Sequence, residues 1–242
     1  MNVLLASNLK EIKDVEKLPK LGSGHDGIVY KYDSLALKIL KYDIEERKEK
    51  GLLSFEKANY FVNECMTKRI TMPTDILLDE NGIYAGIVME CIDEIEIDEL
   101  ELFTEDLYIS SLELLEDINL LTKNRVGLND INRGSFLLAK DFLHLCDVDK
   151  YIDYRKQNRI NVDFINKDAY NYAISKFIVL KIMEMIKKER QITKEEREIL
   201  NKWIKFKVKE GKMLKYIEEE LKDSKQIIFK DFLEKQKQKI IR

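Results

Sequence analysis

An α+β fold is predicted for this chain, with a β-rich N-terminal part that holds one main helix and a mostly helical remainder. Three observations predict it. Short β-branched and aromatic runs separated by turn residues fill the first 90 positions. Apolar residues recur at helical spacing from residue 105 onward. A glycine-spaced loop at residues 22–27 is followed by a strand pattern instead of a helix.

Each element has a local reason. The runs IVYKY (28–32) and LALKIL (35–40) are separated by the turn formers Asp33 and Ser34 and read as a hairpin. Residues 54–70 carry apolar positions near helical spacing and read as the one helix of this half. DENG (79–82) turns between two more strands, DILL and YAGIVME. EDLYISSLELLEDINLLTKN (105–124) and KDAYNYAISKFIVLKIMEMIKK (167–188) are the main helices that follow. A further helix starts after Thr193, which forms a T-x-x-E capping box with Glu196, and Gly211 is its stop. In that helix Trp203 and Phe206 are expected to pack while the lysines around them stay solvated.

Composition narrows the function classes. With 242 residues, 45% of them hydrophobic, the chain can bury a substantial core. Its net charge of -3 lacks the basic excess of a nucleic-acid binder, so no nucleic-acid partner is expected. Charge is unevenly spread: residues 187–242 hold 18 Lys or Arg against 11 Asp or Glu, whereas Glu90 to Asp106 holds nine acidic residues and no basic one. Both stretches read first as solvated faces. No signal peptide opens the chain and no apolar run approaches the roughly 18 residues of a membrane span, so a cytoplasmic protein without a membrane partner is expected. Cys65, Cys91 and Cys146 have no C-x-x-C spacing, and only His25 and His144 are available as histidine ligands. These counts support neither a disulfide framework nor a zinc site.

The loop LGSGHDG has the spacing G-x-G-x-x-G at Gly22, Gly24 and Gly27. A dinucleotide-binding loop of that spacing opens a helix, and this one leads into IVYKY. It therefore reads as the flap of a hairpin, whose glycines let backbone N–H groups approach phosphate oxygens. His25 at its tip is expected to face water.

From about residue 18 to about residue 185 the chain resembles the eukaryotic-type protein kinase family, and a bacterial branch with D-I-N and D-x-D motifs more than the animal enzymes. The resemblance rests on Gly22, Gly24 and Gly27, on Val29, and on Ala36-Leu37-Lys38 as the A-x-K of the third strand. It continues with Asp130 in the catalytic-loop position and Asp147 in the D-F-G position. It implies a two-lobed fold, with residues 1–92 as N-lobe and hinge and residues 93–242 as helical C-lobe with basic C-terminal helices. It implies ATP with Mg2+, or Mn2+, as cofactors and a protein or small-molecule hydroxyl as phosphate acceptor. By this resemblance Lys38 holds the nucleotide phosphates and pairs with Glu64 of the following helix, with Glu56 as fallback. Met89, Glu90 and Ile92 form the hinge beside the adenine. Asp147, Ser135 and Asp149 are the metal positions, Asp130 directs the attacking hydroxyl, and Arg133 stabilises charge on the transferring phosphate. Asp168 is the residue expected to brace the catalytic loop.

The departures are specific. H-R-D reads Leu128-Asn129-Asp130, D-F-G reads Asp147-Val148-Asp149, and Ser135 stands where the family has an asparagine ligand. Only twenty residues separate Asp147 from Asp168, with no A-P-E motif. Three readings therefore stay open: a Ser/Thr protein kinase, a small-molecule kinase of the same superfamily, and a pseudokinase that binds nucleotide or a partner.

Overall fold

The computed structural model describes residues 1–49, 53–93, 102–131, 135–139, 142–189, 193–194, 197–198, 201 and 226–228. In chain order these form strands β1 (Val3–Leu5), β2 (Glu11–Ile12), β3 (Lys20–Ser23), β4 (Gly27–Tyr32) and β5 (Leu35–Leu40), then helices α1 (Ile44–Glu49) and α2 (Phe55–Glu64). Strands β6 (Asp75–Asp79), β7 (Tyr84–Glu90) and β8 (Leu102–Thr104) precede helix α3 (Glu105–Lys123). After it come β9 (Val126–Gly127), β10 (Phe136–Ala139), β11 (Phe142–Leu145), β12 (Ile152–Asp153), helix α4 (Val162–Glu189) and β13 (Gln226–Ile228). The fold is mixed α+β, built on a curled antiparallel N-terminal sheet.

That sheet runs β2-β1-β6-β7-β5-β4-β3. The expected hairpin is β4–β5, in which Val29 pairs with Lys38 and Tyr32 with Leu35 around the Asp33-Ser34 turn. Alternation along β5 divides its residues between two cores. Leu37 and Ile39 face one with Val3, Leu5, Leu77 and Val88, while Ala36 and Leu40 face the other with Phe61, Ile87 and Met89. The second core continues without a break into Leu114 and Ile118 of α3, Phe136 and Leu145 of the β10–β11 hairpin, and Tyr170 and Phe177 of α4. Apolar packing thus crosses the 92/93 division.

Two helices differ in extent from expectation. Residues 54–70 do not form one helix, because α2 ends at Glu64. Beyond it the carboxylate of Asp117 on α3 accepts from the N–H groups of Lys68, Arg69 and Ile70 at 2.5–3.2 Å, and Ile70 bridges to Leu145. Tertiary partners take the amides that a longer helix would have bonded to itself. Helix α4 starts five residues before Lys167, where the Asn161 side chain caps it by accepting from Phe164 N at 3.1 Å. The basic tail is not helical throughout, since β13 pairs antiparallel with β8. Trp203, Phe206, Glu196 and Gly211 lie outside the described residues. Among the described residues no helix is long and apolar enough to cross a membrane.

Candidate functional site

Lys38 sits on an interior strand, between β4 and β7, paired in register with Val29 and Ile87. Same-face neighbours in adjacent strands leave its side chain 13% exposed. It is therefore not an edge lysine with its head in water. Its ammonium ion-pairs with Asp149 Oδ2 and lies 3.4 Å from Asp147 Oδ1, joining strand β5 to a segment more than a hundred residues away.

The β10–β11 hairpin explains how that segment reaches the sheet. Phe136 pairs with Leu145, and at the open end Cys146 N donates to the Ser135 carbonyl at 2.7 Å. The strand that leaves the hairpin carries Asp147 next, and the segment that enters it carries Asp130. Asp147 has φ 69 and ψ 57 and Asp130 has φ 57, both in the left-handed region that costs a non-glycine residue about 1–3 kcal/mol. Asp147 is half exposed, whereas Asp149, inside the 3-10 turn Val148–Lys150, is 1% exposed.

Buried Asn166 of α4 holds the approach to Asp130. Its Oδ1 accepts from Leu128 N at 2.7 Å, and its Nδ2 donates to Val126 O at 2.9 Å and Thr122 Oγ1 at 2.8 Å. Asp168, the expected brace, is exposed. The periodicity carried this signal, because Val162, Asn166 and Tyr170 lie on one buried stripe and Asp168 stands two residues, about 200°, off it.

The glycine loop is tied to the same place. Gly24 N donates to Gly27 O at 3.0 Å, Lys41 Nζ donates to Gly24 O at 2.5 Å, and Asp26 pairs with Lys150 at 3.2 Å and with His25 at 2.9 Å. Burial pushes the Asp26 carboxyl up, but its bonds to His25 and Lys150 outweigh that and hold it below the ordinary value. His25 itself is largely exposed. Gly27 is required by packing, since a Cβ there would lie 2.6 Å from the Ile39 carbonyl. At Gly22 and Gly24 a Cβ would meet nothing within 4 Å, and neither has a left-handed φ.

Glu64 does not meet Lys38. It is the last residue of α2 and is exposed, as is Glu56, because the inward positions of this short helix are the apolar Ala58 and Phe61. Instead α2 contributes Lys57, whose Nζ donates to the Asp149 carbonyl at 2.9 Å. Burial pushes the Lys57 amine down to about 8. The sequence reading did not single out Lys57, which looks in sequence like any helix-surface lysine.

Met89 is buried on the same face of the sheet as Lys38, Glu90 is exposed at the end of β7, and half-buried Ile92 follows it. Ser135 is 2% exposed. Arg133 and residues 94–101 of the acidic stretch that follows β7 lie outside the described residues. A cavity of about 500 Å³ between Ile39, Arg47, Asp79 and Tyr84 shares no residue with the Lys38 site.

Chemically the site offers an oriented ammonium, a half-exposed carboxylate beside it and an exposed carboxylate at the same hairpin end. Among the described residues no group of three or more His, Cys, Asp or Glu could hold a metal alone. Magnesium needs no such cage when one carboxylate and the substrate phosphates complete its shell, and Asp147 fits that requirement. No protein-family model matches this chain, and no curated protein matches it.

Proposed function

We propose that the chain is an ATP- and magnesium-dependent phosphotransferase with a two-lobed kinase-like fold, acting on a hydroxyl, foremost a Ser or Thr of a protein. The observation that carries this reading is the 13%-exposed Lys38, on an interior strand beside a glycine hairpin, meeting Asp147 and Asp149 of the segment 147–150 to which that hairpin is also pinned through Lys150. The order of elements supports it, with the hinge residues 90–92 ending the sheet, the β10–β11 hairpin between Asp130 and Asp147, and α4 bracing the loop from behind.

Lys38 would bind the nucleotide phosphates, and the loop Gly22–Gly27 would cover them. Asp147 would hold magnesium, which when bound neutralises charge on the β- and γ-phosphates. Asp130 would aim the acceptor hydroxyl and take its proton. Met89, Glu90 and Ile92 would line the adenine.

The test is transfer from γ-labelled ATP with Mg2+ and separately Mn2+, comparing the wild type with Asp147→Asn. Asparagine tolerates the left-handed backbone of residue 147 while removing the charge. Label on Ser or Thr that falls at least about a hundredfold in the variant is expected. Equal transfer by both would sink the metal-ligand assignment. A second reading, a nucleotide-binding module without transfer, is favoured by Ser135, whose burial leaves little solvent-facing oxygen where the resemblance has an asparagine. ATP binding without any transfer would select it.

A further inference from the structure

Lysine has four rotatable side-chain bonds, and its ammonium becomes a useful phosphate ligand only when something fixes it. The helix glutamates leave Lys38 unfixed, for both are exposed. The carboxylate that reaches it is Asp149, 1% exposed, with Oδ2 paired to Lys38 and Oδ1 fully buried and without a hydrogen-bond partner among the described residues. A buried carboxylate with a bare oxygen is costly. So is a half-buried ammonium, and Lys57 supplies one against the same residue, its Nζ donating to the Asp149 carbonyl at 2.9 Å with Phe61's ring beneath it at 5.7 Å. Asp149 is thus gripped at its main chain by Lys57 and at its carboxylate by Lys38.

We propose that Asp149 is the carboxylate that orients Lys38, and that Lys57 of α2 is the residue that positions Asp149. The inference rests on the reading of Lys38 as a phosphate ligand. It divides two carboxylates that stand two residues apart: half-exposed Asp147 remains for magnesium, and Asp149 belongs to Lys38. It also links α2 to Lys38 through a main-chain carbonyl and an aspartate. The groups facing Lys57 are Asp153, which favours its charge, and Lys150, which opposes it.

The experiment is calorimetric titration with MgATP of the wild type, Lys38→Met, Asp149→Asn and Lys57→Met, each with a thermal melt. Lys38→Met and Asp149→Asn are expected to weaken binding about tenfold or more, in line with loss of a charge-assisted contact. Lys57→Met is expected to weaken it about fivefold while its Tm rises. A lysine serving only the fold would lose or keep both together. Wild-type affinity in Asp149→Asn, with Lys38→Met impaired, overturns the inference and leaves the nucleotide reading standing. So does a loss in Glu64→Gln that matches the loss in Lys38→Met. Failure of the wild type to bind MgATP, or unchanged binding by Lys38→Met, overturns the nucleotide reading and this inference with it. A second, nucleotide-free readout on variants whose melts show a folded protein is acetic anhydride labelling of Lys38, read by mass spectrometry, which is expected to speed up several-fold in Lys57→Met as the pair loosens. An unchanged labelling rate overturns the positioning role.

Discussion

At the scale of single residues, Asn166 is the most exacting choice in the site. Its amide donates to one carbonyl and accepts from one amide of the strand that leads to Asp130, and no other side chain of its size does both. Asn166→Ala leaves Leu128 N and Val126 O unpaired in the core, and a loss of about 2–4 kcal/mol is expected. Asn166→Asp keeps one acceptor but turns an oxygen toward the Val126 carbonyl, so it should also destabilise. Urea melts of the two variants check this, and near-wild-type stability in both would refute the clamp. Asp168 was the residue that sequence suggested, because it matches a family position by type. Helical phase decides against it, because Val162, Asn166 and Tyr170 share the buried stripe and Asp168 lies off it.

At the scale of elements, the glycine hairpin separates what folding needs from what a ligand needs. Gly27 packs against the main chain of β5, so Gly27→Ala should cost about 1–3 kcal/mol through the clash with Ile39 O. Gly22 and Gly24 have open space and ordinary backbone angles. Alanine at either should leave stability unchanged or raise it by roughly 0.4–1 kcal/mol. If the loop covers phosphates, MgATP affinity in the Gly22→Ala and Gly24→Ala proteins falls all the same. Melts and titrations on the three variants separate the cases, and unchanged affinity in both would remove the loop from the nucleotide site. The β4–β5 hairpin itself was legible down to its turn, because its alternation and its Asp33-Ser34 corner are local signals. The end of α2 was not, because Asp117, nearly fifty residues away, captures the following amides.

At the scale of the whole molecule, the half-buried Lys57, whose amine is pushed down by desolvation, makes global stability depend on pH. Its folded value of about 8 lies below the ordinary 10.5, so between those values the unfolded chain holds a proton that the folded one has released. Stability from this group therefore rises as pH climbs from 8 to 10.5, and the full penalty, roughly 3 kcal/mol, is present below 8. Lys57→Met should stabilise the protein at pH 7 by roughly 2 kcal/mol net, after loss of the carbonyl hydrogen bond, and its advantage should shrink toward pH 10. Melts at the two pH values check the sign. A second whole-chain feature is the pairing of β13 with β8, which returns the basic tail to the end of the acidic stretch 90–106.

The sequence by itself determined the α+β class, the central hairpin, the presence of Lys38 in an apolar strand and the short β-rich link between Asp130 and Asp147. All are written in neighbouring residues, where alternation, turn formers and helical spacing act directly. Only the tertiary structure decided which carboxylate meets Lys38, which side chain braces the approach to Asp130, and which lysine of α2 turns inward. Those choices join Lys38 to Asp149, Leu128 to Asn166 and Lys57 to the Asp149 carbonyl, pairs 111, 38 and 92 residues apart. Burial and geometry select such partners after the chain has collapsed, and no local pattern encodes a contact that exists only when distant elements pack together.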